Sequence, residues 1–220
     1  MIKGVLLDVD GTLVLSNDAH ARAWVEALEH FGHTITYDDV RWLVGMGGDK
    51  VLPRLVPGLE SESGQGKRIS QYRTKIFLDK YVSTLEPTPG SRALVEKLKQ
   101  SDLKLMVASS AKKEELNDLL KAARVDDLLK QATTSADADN SKPDPDIIHA
   151  ALGKIGLPPQ EVLMIGDTPY DIEAAGKAGV RMVAVRSGGW KDKDLEGAIA
   201  IYDHPADIVE HYETSLFNLR

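Results

Sequence analysis

Short apolar runs bounded by polar or turn residues recur along the chain and predict buried strands. The runs are residues 3–8, 104–109, 161–167, 181–186 and, with a shorter apolar stretch, 198–203. Each is continuously aliphatic or β-branched, which is typical of strands covered on both faces. Helical patterns lie between them, at residues 91–100, 112–123, 143–154 and 170–178. This alternation predicts an α/β fold with a Rossmann-like, three-layer core built on a parallel sheet.

The segment between the first strand and residue 87 has helical periodicity and no strand pattern. Its first helix, AHARAWVEALEHFG, is amphipathic and ends at Gly32, and a long helical pattern, GKRISQYRTKIFLDKYVSTL, closes the segment. The sequence EPTPG follows, and its two prolines and glycine suit a linker before a new helix. We therefore predict an inserted helical cap domain at residues 15–86, and a core domain formed by residues 1–14 and 87–220.

Composition and charge exclude several classes of protein. The 220 residues include 27 basic and 34 acidic side chains, a net charge of −7 that argues against nonspecific binding of nucleic acid. The absence of cysteine excludes disulfides and thiol chemistry. No apolar stretch reaches the roughly 18 residues of a membrane helix, and the N-terminus is too short and acidic for a signal peptide. We expect a cytoplasmic monomer with no nucleic-acid or membrane partner.

Polar residues stand where several of the predicted strands end. In LLDVDGTLV, Asp8 and Asp10 interrupt an apolar run, and Ser109 and Asp167 end two later strands. Ligands of open parallel sheets bind at the carboxyl ends of the strands, and Gly11 accepts the positive φ of a tight turn there. Carboxylates gathered in one crevice repel one another unless a cation lies among them, and oxygen ligands suit Mg²⁺. The pattern predicts a magnesium site at this edge.

Each of these motifs taken alone has a simpler interpretation. A D-x-D-G sequence is often a turn with solvated acids, and GDTPYD is typical of a loop before an acidic helix start. Ser109 ends a strand as many serines do, and Lys142 in SKPDPD could be a solvated loop charge. A functional site is favoured because all four occur in this order, at strand ends or just before helices.

This set of motifs resembles the haloacid dehalogenase-like hydrolase superfamily, in the branch of phosphatases and phosphomutases with a small helical cap, such as phosphoglycolate phosphatase and β-phosphoglucomutase. The sequence DVDGT resembles the first family motif, and VASSA resembles the second. SKPDP resembles the third motif and GDTPYD the fourth. The resemblance covers nearly the whole chain.

The resemblance implies hydrolysis of a small phosphorylated metabolite through an aspartyl-phosphate. Asp8 would be the nucleophile and Asp10 the general acid and base. The residues implied in phosphate binding are Lys142, Ser109, Ser110 and Gly11, and those implied in holding Mg²⁺ are Asp8, Asp10, Asp167 and Asp171. Lys142 would also act in catalysis by supplying positive charge. Because free aspartate titrates near about 3.9, Asp10 needs help to stay protonated at neutral pH, and we expect burial under the cap to raise its pKa.

The candidate cap residues are assigned less directly. Gly47 and Gly48, beside Lys50, predict a loop that sets substrate specificity, and a plain turn between helices is the alternative. The region around Lys50 faintly resembles the cap lysine of phosphonoacetaldehyde hydrolases, which forms a Schiff base. Asp10 argues against that activity, because those enzymes usually carry a small residue at its position. The resemblance also suggests that His20, on the first cap helix, faces the cleft near the hinge.

The sequence leaves more than one function open. A phosphomutase would use the same aspartyl-phosphate and pass the phosphoryl group to a second hydroxyl. A non-catalytic phosphate-binding module and a receiver-like phosphorylation switch are further alternatives. A module that had lost its catalytic activity would be expected to have lost one of Asp8, Asp10, Lys142 or Asp167, and all four are present. We therefore favour the phosphatase, with its substrate unspecified.

Overall fold

The computed structural model describes residues 1–218 and has a six-stranded parallel sheet at its centre. The strands are β1 (Gly4–Leu7), β2 (Lys104–Ala108), β3 (Ala132–Thr133), β4 (Val162–Gly166), β5 (Arg181–Val185) and β6 (Ala200–Tyr202). Their order across the sheet is β3-β2-β1-β4-β5-β6, with every neighbouring pair parallel. The predicted fold class and the five predicted strands are confirmed. Strand β3 escaped prediction because two residues are too few to form a hydrophobic pattern.

Helices cover both faces of the sheet and form the three predicted layers. They are α5 (Ser91–Gln100), α6 (Lys113–Ala122), α7 (Asp146–Ile155), α8 (Pro169–Lys177) and the short α9 (Pro205–Glu210). Successive strand side chains point to opposite faces, so Leu7 belongs to one apolar cluster and Leu6 to another. Leu94 of α5 packs in the first cluster, and Ile148 of α7 packs in the second. Within residues 1–218, no helix is both long and apolar enough to cross a membrane.

Four helices lie between β1 and α5 in the sequence, as predicted. They are α1 (Asn17–His30), α2 (Tyr37–Arg41), α3 (Gly48–Leu55) and α4 (Gly64–Ile76), which continues into a π turn at Phe77–Tyr81. Trp24, Leu28 and Ile69 belong to a third apolar cluster that these helices share. A separate core is typical of an independent domain. The domain boundaries themselves, at residues 14/15 and 86/87, stay a prediction.

The strand order decides which side chains meet. β1 lies between β2 and β4, and these three strands run parallel in register. Asp8, Ser109 and Asp167 each follow directly on one of them. The three side chains are therefore brought to the carboxyl edge of the sheet, facing the segment that carries α1–α4.

Candidate active site

Three buried carboxylates form a cluster at this edge. One oxygen each from Asp8, Asp167 and Asp171 lies within 4.8 Å of the other two. Asp171 comes from the first turn of α8, where Thr168 caps the helix. The Asp171 Oδ2 atom accepts hydrogen bonds from the Thr168 backbone nitrogen at 3.1 Å and from its hydroxyl at 2.6 Å. The capping residue therefore turns an acid at a helix N-terminus towards the two acids at the strand ends.

Lys142 is the cation of the cluster. Its Nζ atom lies 2.6 Å from Asp8 Oδ1 and 2.7 Å from Asp171 Oδ1, and it also donates to the Ala108 carbonyl at 3.0 Å. Its side chain is 1% exposed, and buried lysines are almost always paired. Burial lowers the pKa of Lys142, but the carboxylates of Asp171 and Asp8 raise it by a larger amount. The pKa of Lys142 therefore lies above its ordinary value. Lys142 is therefore held as a buried positive charge beside Asp8.

The donor set fits one divalent metal ion. Three carboxylates carry three negative charges and Lys142 carries one positive charge, so two negative charges remain unbalanced. Burial raises the pKa of Asp8 to about 8; Lys142 opposes this shift, and Asp171 and Asp10 reinforce it. Burial also raises the pKa of Asp167 well above its ordinary value. The buried Asp171 Oδ1 makes an ionic contact with Lys142 but no aligned hydrogen bond. A dication with oxygen ligands would balance the two charges, offset the raised pKa values of Asp8 and Asp167, and give the Asp171 Oδ1 atom a partner.

The raised pKa of Asp8 makes stability depend on pH when metal is removed. In the unfolded chain Asp8 loses its proton at its ordinary pKa of 3.8, whereas the folded protein retains it to about 8. Stability should therefore fall as the pH rises through this window in the presence of a chelator. Mg²⁺ at about 100 times its Kd should restore about 2.7 kcal/mol, or about 5–10 °C in Tm for a chain of this size.

Thermal unfolding followed by circular dichroism, with chelator and with Mg²⁺, measures this effect. The Mg²⁺-induced increase in Tm should be larger at about pH 8 than at about pH 5, because the ion binds the deprotonated carboxylates. An increase of equal size at both pH values would contradict this account of the cluster.

Two glycines allow Asp167 to lie in its tight surroundings. Gly11 has a φ of +75°, and a Cβ added to Gly11 or to Gly188 would overlap the Asp167 carboxylate. Asn17 Nδ2 donates to Asp167 Oδ2 at 2.9 Å, and the Thr12 hydroxyl donates to Asp167 Oδ1 at 3.2 Å. The Gly11 amide already donates to the Val14 carbonyl at 2.8 Å. Close packing on Asp167 is therefore what requires glycine here, and phosphate binding by Gly11 stays a prediction.

Asp10 lies beside the acid cluster with different neighbours. Its Oδ1 atom accepts hydrogen bonds from the Ser16 hydroxyl and from His20 Nε2, the latter at 2.6 Å. Burial raises the pKa of Asp10, but His20 and Ser16 outweigh burial, so its pKa lies below the ordinary value. The expectation that burial would raise the pKa of Asp10 is therefore wrong. Hydrogen-bond donors favour the carboxylate more than burial disfavours it.

A cavity of about 820 Å³ separates this edge from helices α1, α3 and α4. The predicted site residues that line it are Asp8, Asp10, His20, Gly47, Gly48 and Ser110. The Ser110 hydroxyl is buried with no hydrogen-bond partner in the described part of the chain. Ser109 does not line the cavity, and its hydroxyl oxygen accepts from the Ala111 amide at 3.1 Å. Of the two serines, Ser110 is therefore the one that lines the cavity.

Lys50 is not brought to the cavity. Its Nζ atom lies 2.8 Å from Asp144 Oδ2, in the loop before α7. The neighbouring Gly47 amide donates to the Ser141 hydroxyl at 3.0 Å. This part of the glycine-rich loop therefore rests on the core loop that carries Lys142, and Lys50 forms an ion pair across that contact.

Sequence reasoning missed two residues that contact the predicted site. Asn17 binds Asp167, and Glu115 of α6 binds Arg73 of α4. Asn17 begins α1 and carried no signal beyond a helix start. Glu115 stands in the acidic first turn of α6, beside Glu114, where a solvated face is the ordinary expectation. Only contacts between segments distant in the sequence distinguish either residue from its neighbours.

Comparison with known proteins identifies the family. The family model described as haloacid dehalogenase-like hydrolase matches residues 5–185. SUPPRESSOR OF QUENCHING 1 of Arabidopsis thaliana is 34% identical over 84% of this chain, which spans only 18% of that protein's length. A putative pyrophosphatase PpaX of Caldanaerobacter subterraneus is 30% identical over 84% of this chain and 82% of its own. The crystal structure of a hydrolase from Pseudomonas syringae superposes with a TM-score of 0.89 at 30% identity, covering 96% of this chain and 98% of that one. The chain is therefore an enzyme that belongs to the haloacid dehalogenase-like hydrolase family.

Proposed function

We propose that this enzyme is a Mg²⁺-dependent phosphatase that hydrolyses the phosphomonoester of a small metabolite through an aspartyl-phosphate on Asp8. The observation that carries the proposal is the position of the Asp8 carboxylate. One oxygen contacts the buried Lys142 ammonium at 2.6 Å, and the carboxylate lines the cavity within the acid cluster. A carboxylate next to a fixed cation and a dication site can approach a phosphate dianion that would otherwise repel it.

The reaction divides into two displacements at phosphorus. An Asp8 oxygen attacks phosphorus, the bond from phosphorus to the leaving oxygen breaks, and Asp10 donates a proton to that oxygen. Asp10 then takes a proton from the water that attacks the aspartyl-phosphate, releasing phosphate and restoring Asp8. Lys142 and the Ser110 hydroxyl bind phosphoryl oxygens throughout. Asp8, Asp167, Asp171 and the Asp10 backbone carbonyl would hold Mg²⁺, which would supply Lewis-acid charge neutralisation when bound.

The two roles of Asp10 follow from its surroundings. Without ligand its pKa is lowered by His20 and Ser16, which suits the base of the second step. A phosphate dianion in the cavity adds negative charge next to Asp10, which raises its pKa and favours the protonated acid needed in the first step. Asp10 would thus take up a proton as the substrate binds.

The cavity supports a free metabolite as the substrate. Its volume of about 820 Å³ lies within the range of small-molecule sites. We propose that the enzyme acts as a monomer on such metabolites and not on nucleic acid or lipid. Inorganic pyrophosphate is a further candidate, because the bacterial relative is named as a putative pyrophosphatase.

A phosphomutase remains the second candidate, and one observation favours it. The glycine-rich loop is joined to the core by the Gly47–Ser141 hydrogen bond and the Lys50–Asp144 ion pair, and Tyr170 donates to the Trp42 carbonyl at 2.6 Å. A cap joined to the core at several points can exclude water. Water exclusion would let a sugar hydroxyl, in place of water, accept the phosphoryl group from Asp8.

A panel of phosphorylated metabolites tests the proposal. Sugar phosphates, phosphoglycolate and inorganic pyrophosphate are incubated with the protein in Mg²⁺, and inorganic phosphate is measured. We expect release from at least one monoester, loss of release with a chelator, and recovery when excess Mg²⁺ is added. Isomerisation of a sugar phosphate without release would replace the phosphatase with a phosphomutase. If the protein neither releases phosphate nor isomerises a sugar phosphate, a phosphate-binding module becomes the preferred function.

A further inference from the structure

A carboxylate buried in the core anchors helix α4. Glu115 lies on α6, and its side chain is 2% exposed. Arg73 Nη1 donates to both of its oxygens, at 2.7 and 2.8 Å, and the Thr74 hydroxyl donates to Oε1 at 2.9 Å. Burial raises the pKa of Glu115, but Arg73 and the other donors lower it below its ordinary value, so Glu115 is ionised. Three hydrogen bonds from one helix of the inserted segment therefore end on one core carboxylate.

Arg73 connects this anchor to His20. One of its terminal nitrogens, Nη2, hydrogen-bonds to His20 Nδ1, and its guanidinium group lies over the ring of Phe77, 5.2 Å from the centroid. The His20 ring stacks on the same Phe77 ring, with 4.0 Å between centroids. A guanidinium group has only donors, so His20 Nδ1 must accept. The proton of the neutral imidazole then lies on Nε2, which donates to Asp10 Oδ1 at 2.6 Å.

We infer that Glu115 is a positioning residue for Asp10, acting through Arg73 and His20. By holding the Arg73 guanidinium, it fixes the tautomer and orientation of the imidazole that binds one oxygen of the Asp10 carboxylate. The contact joins α6 of the core to α4 of the inserted segment, so Asp10 receives this support only while the two are packed together. This inference rests on the proposed function, because it concerns the proton transfers that Asp10 performs there.

The leaving group separates this role from a purely structural one. An alkyl phosphate expels an alkoxide, which needs the proton from Asp10. The leaving groups of p-nitrophenyl phosphate and acetyl phosphate are acidic enough to depart without protonation. Loss of Asp10 orientation should therefore lower kcat/KM most for the alkyl phosphate, because kcat/KM reports the steps up to phosphoryl transfer to Asp8. A disordered cap or a weaker fold should lower kcat/KM alike for all substrates.

The test compares Glu115→Gln with the matched control Asp118→Asn, which changes an acid of the same helix that pairs with Lys121 at the surface and does not line the cavity. With the best alkyl phosphate from the panel, we expect kcat/KM of Glu115→Gln to fall about 10-fold to 100-fold, a fraction of a full general-acid contribution. With the activated phosphates, phosphoryl transfer to Asp8 needs no proton from Asp10, so kcat/KM should fall less than about threefold. Asp118→Asn should match the unaltered protein on every substrate.

Further variants test the inference in case Glu115→Gln folds poorly. Glu115→Asp keeps the charge on a shorter side chain, and the ratio of alkyl to activated phosphate in kcat/KM should still fall. Arg73→Gln should lower the ratio as Glu115→Gln does, and the double variant should lower it no further, because both act on one path. An unchanged ratio in these variants overturns the role of Glu115. If the unaltered protein releases no phosphate from any substrate, the proposed function fails instead.

Discussion

Replacing Asp8 by asparagine is expected to lower phosphate release at least about 10⁴-fold, the scale seen when a nucleophile is removed. The side chain keeps its size, and its one oxygen can still accept from the Lys142 ammonium, while the amide nitrogen takes the place of the Oδ2 atom that the Thr12 hydroxyl contacts at 3.3 Å. A neutral amide lacks the negative charge needed to attack phosphorus and is a poor metal ligand. Steady-state release of phosphate from the best substrate of the panel measures the loss.

The chemistry at Asp8 can be followed directly. Acid quenching after mixing with radiolabelled substrate should trap labelled protein, and Asp8→Asn should trap none. Two successive displacements should also give net retention of configuration at phosphorus. Asp38→Asn is the matched control, because Asp38 is exposed in the first turn of α2, and it should retain full activity. Inversion at phosphorus, or an Asp8→Asn enzyme within about tenfold of normal, would refute the aspartyl-phosphate.

Replacing Lys142 by methionine is expected to lower phosphate release about 10³-fold or more while leaving metal binding intact. Lys142 is the only cation that contacts the acid cluster in the described part of the chain. Its loss leaves Asp8 and Asp171 without their partner, and breaking a buried pair destabilises proteins by about 3–5 kcal/mol. With three negative charges unopposed, a dication should bind at least as tightly as before.

Two measurements separate these effects. Kinetics should show the fall in kcat/KM, and thermal unfolding should show a lower Tm that Mg²⁺ raises by at least as much as in the unaltered protein. Lys154→Met is the control, because Lys154 pairs with Asp137 at the surface of α7 and its loss should change neither property. A Lys142→Met variant that keeps its activity but no longer responds to Mg²⁺ would make Lys142 a support for metal binding and not for phosphate.

The sequence predicts the sheet and the position of the site well, because both depend on short-range patterns. Five apolar runs separated by helical periodicity are enough to specify a parallel sheet, since strands joined through helices run the same way. Parallel strands end at one edge, so acids that follow β1 and β4 must come together there. Asp8 and Asp167 could thus be paired from the sequence, although 159 positions separate them.

The properties of the site residues could not be read in this way. The pKa of Asp10 lies below its ordinary value because His20 and Ser16 donate to it, although burial alone predicts the opposite. Lys50 was a candidate for the cavity, but an ion pair with Asp144 holds it elsewhere. Ser110, not Ser109, lines the cavity. Each outcome depends on which polar atoms are brought together when the chain folds. Adjacent residues share the same local sequence pattern, so the pattern cannot distinguish between them.

The sequence by itself thus determined the α/β fold, the helical insertion and the edge at which Asp8 and Asp167 meet. These features follow from hydrophobic periodicity and turn chemistry, which act over a few residues. Only the tertiary structure decided that Glu115, between an exposed acid and a buried leucine, carries Arg73. It also decided the protonation of Asp10. Hydrogen bonding and burial depend on contacts between distant segments, and those contacts exist only once the chain has folded.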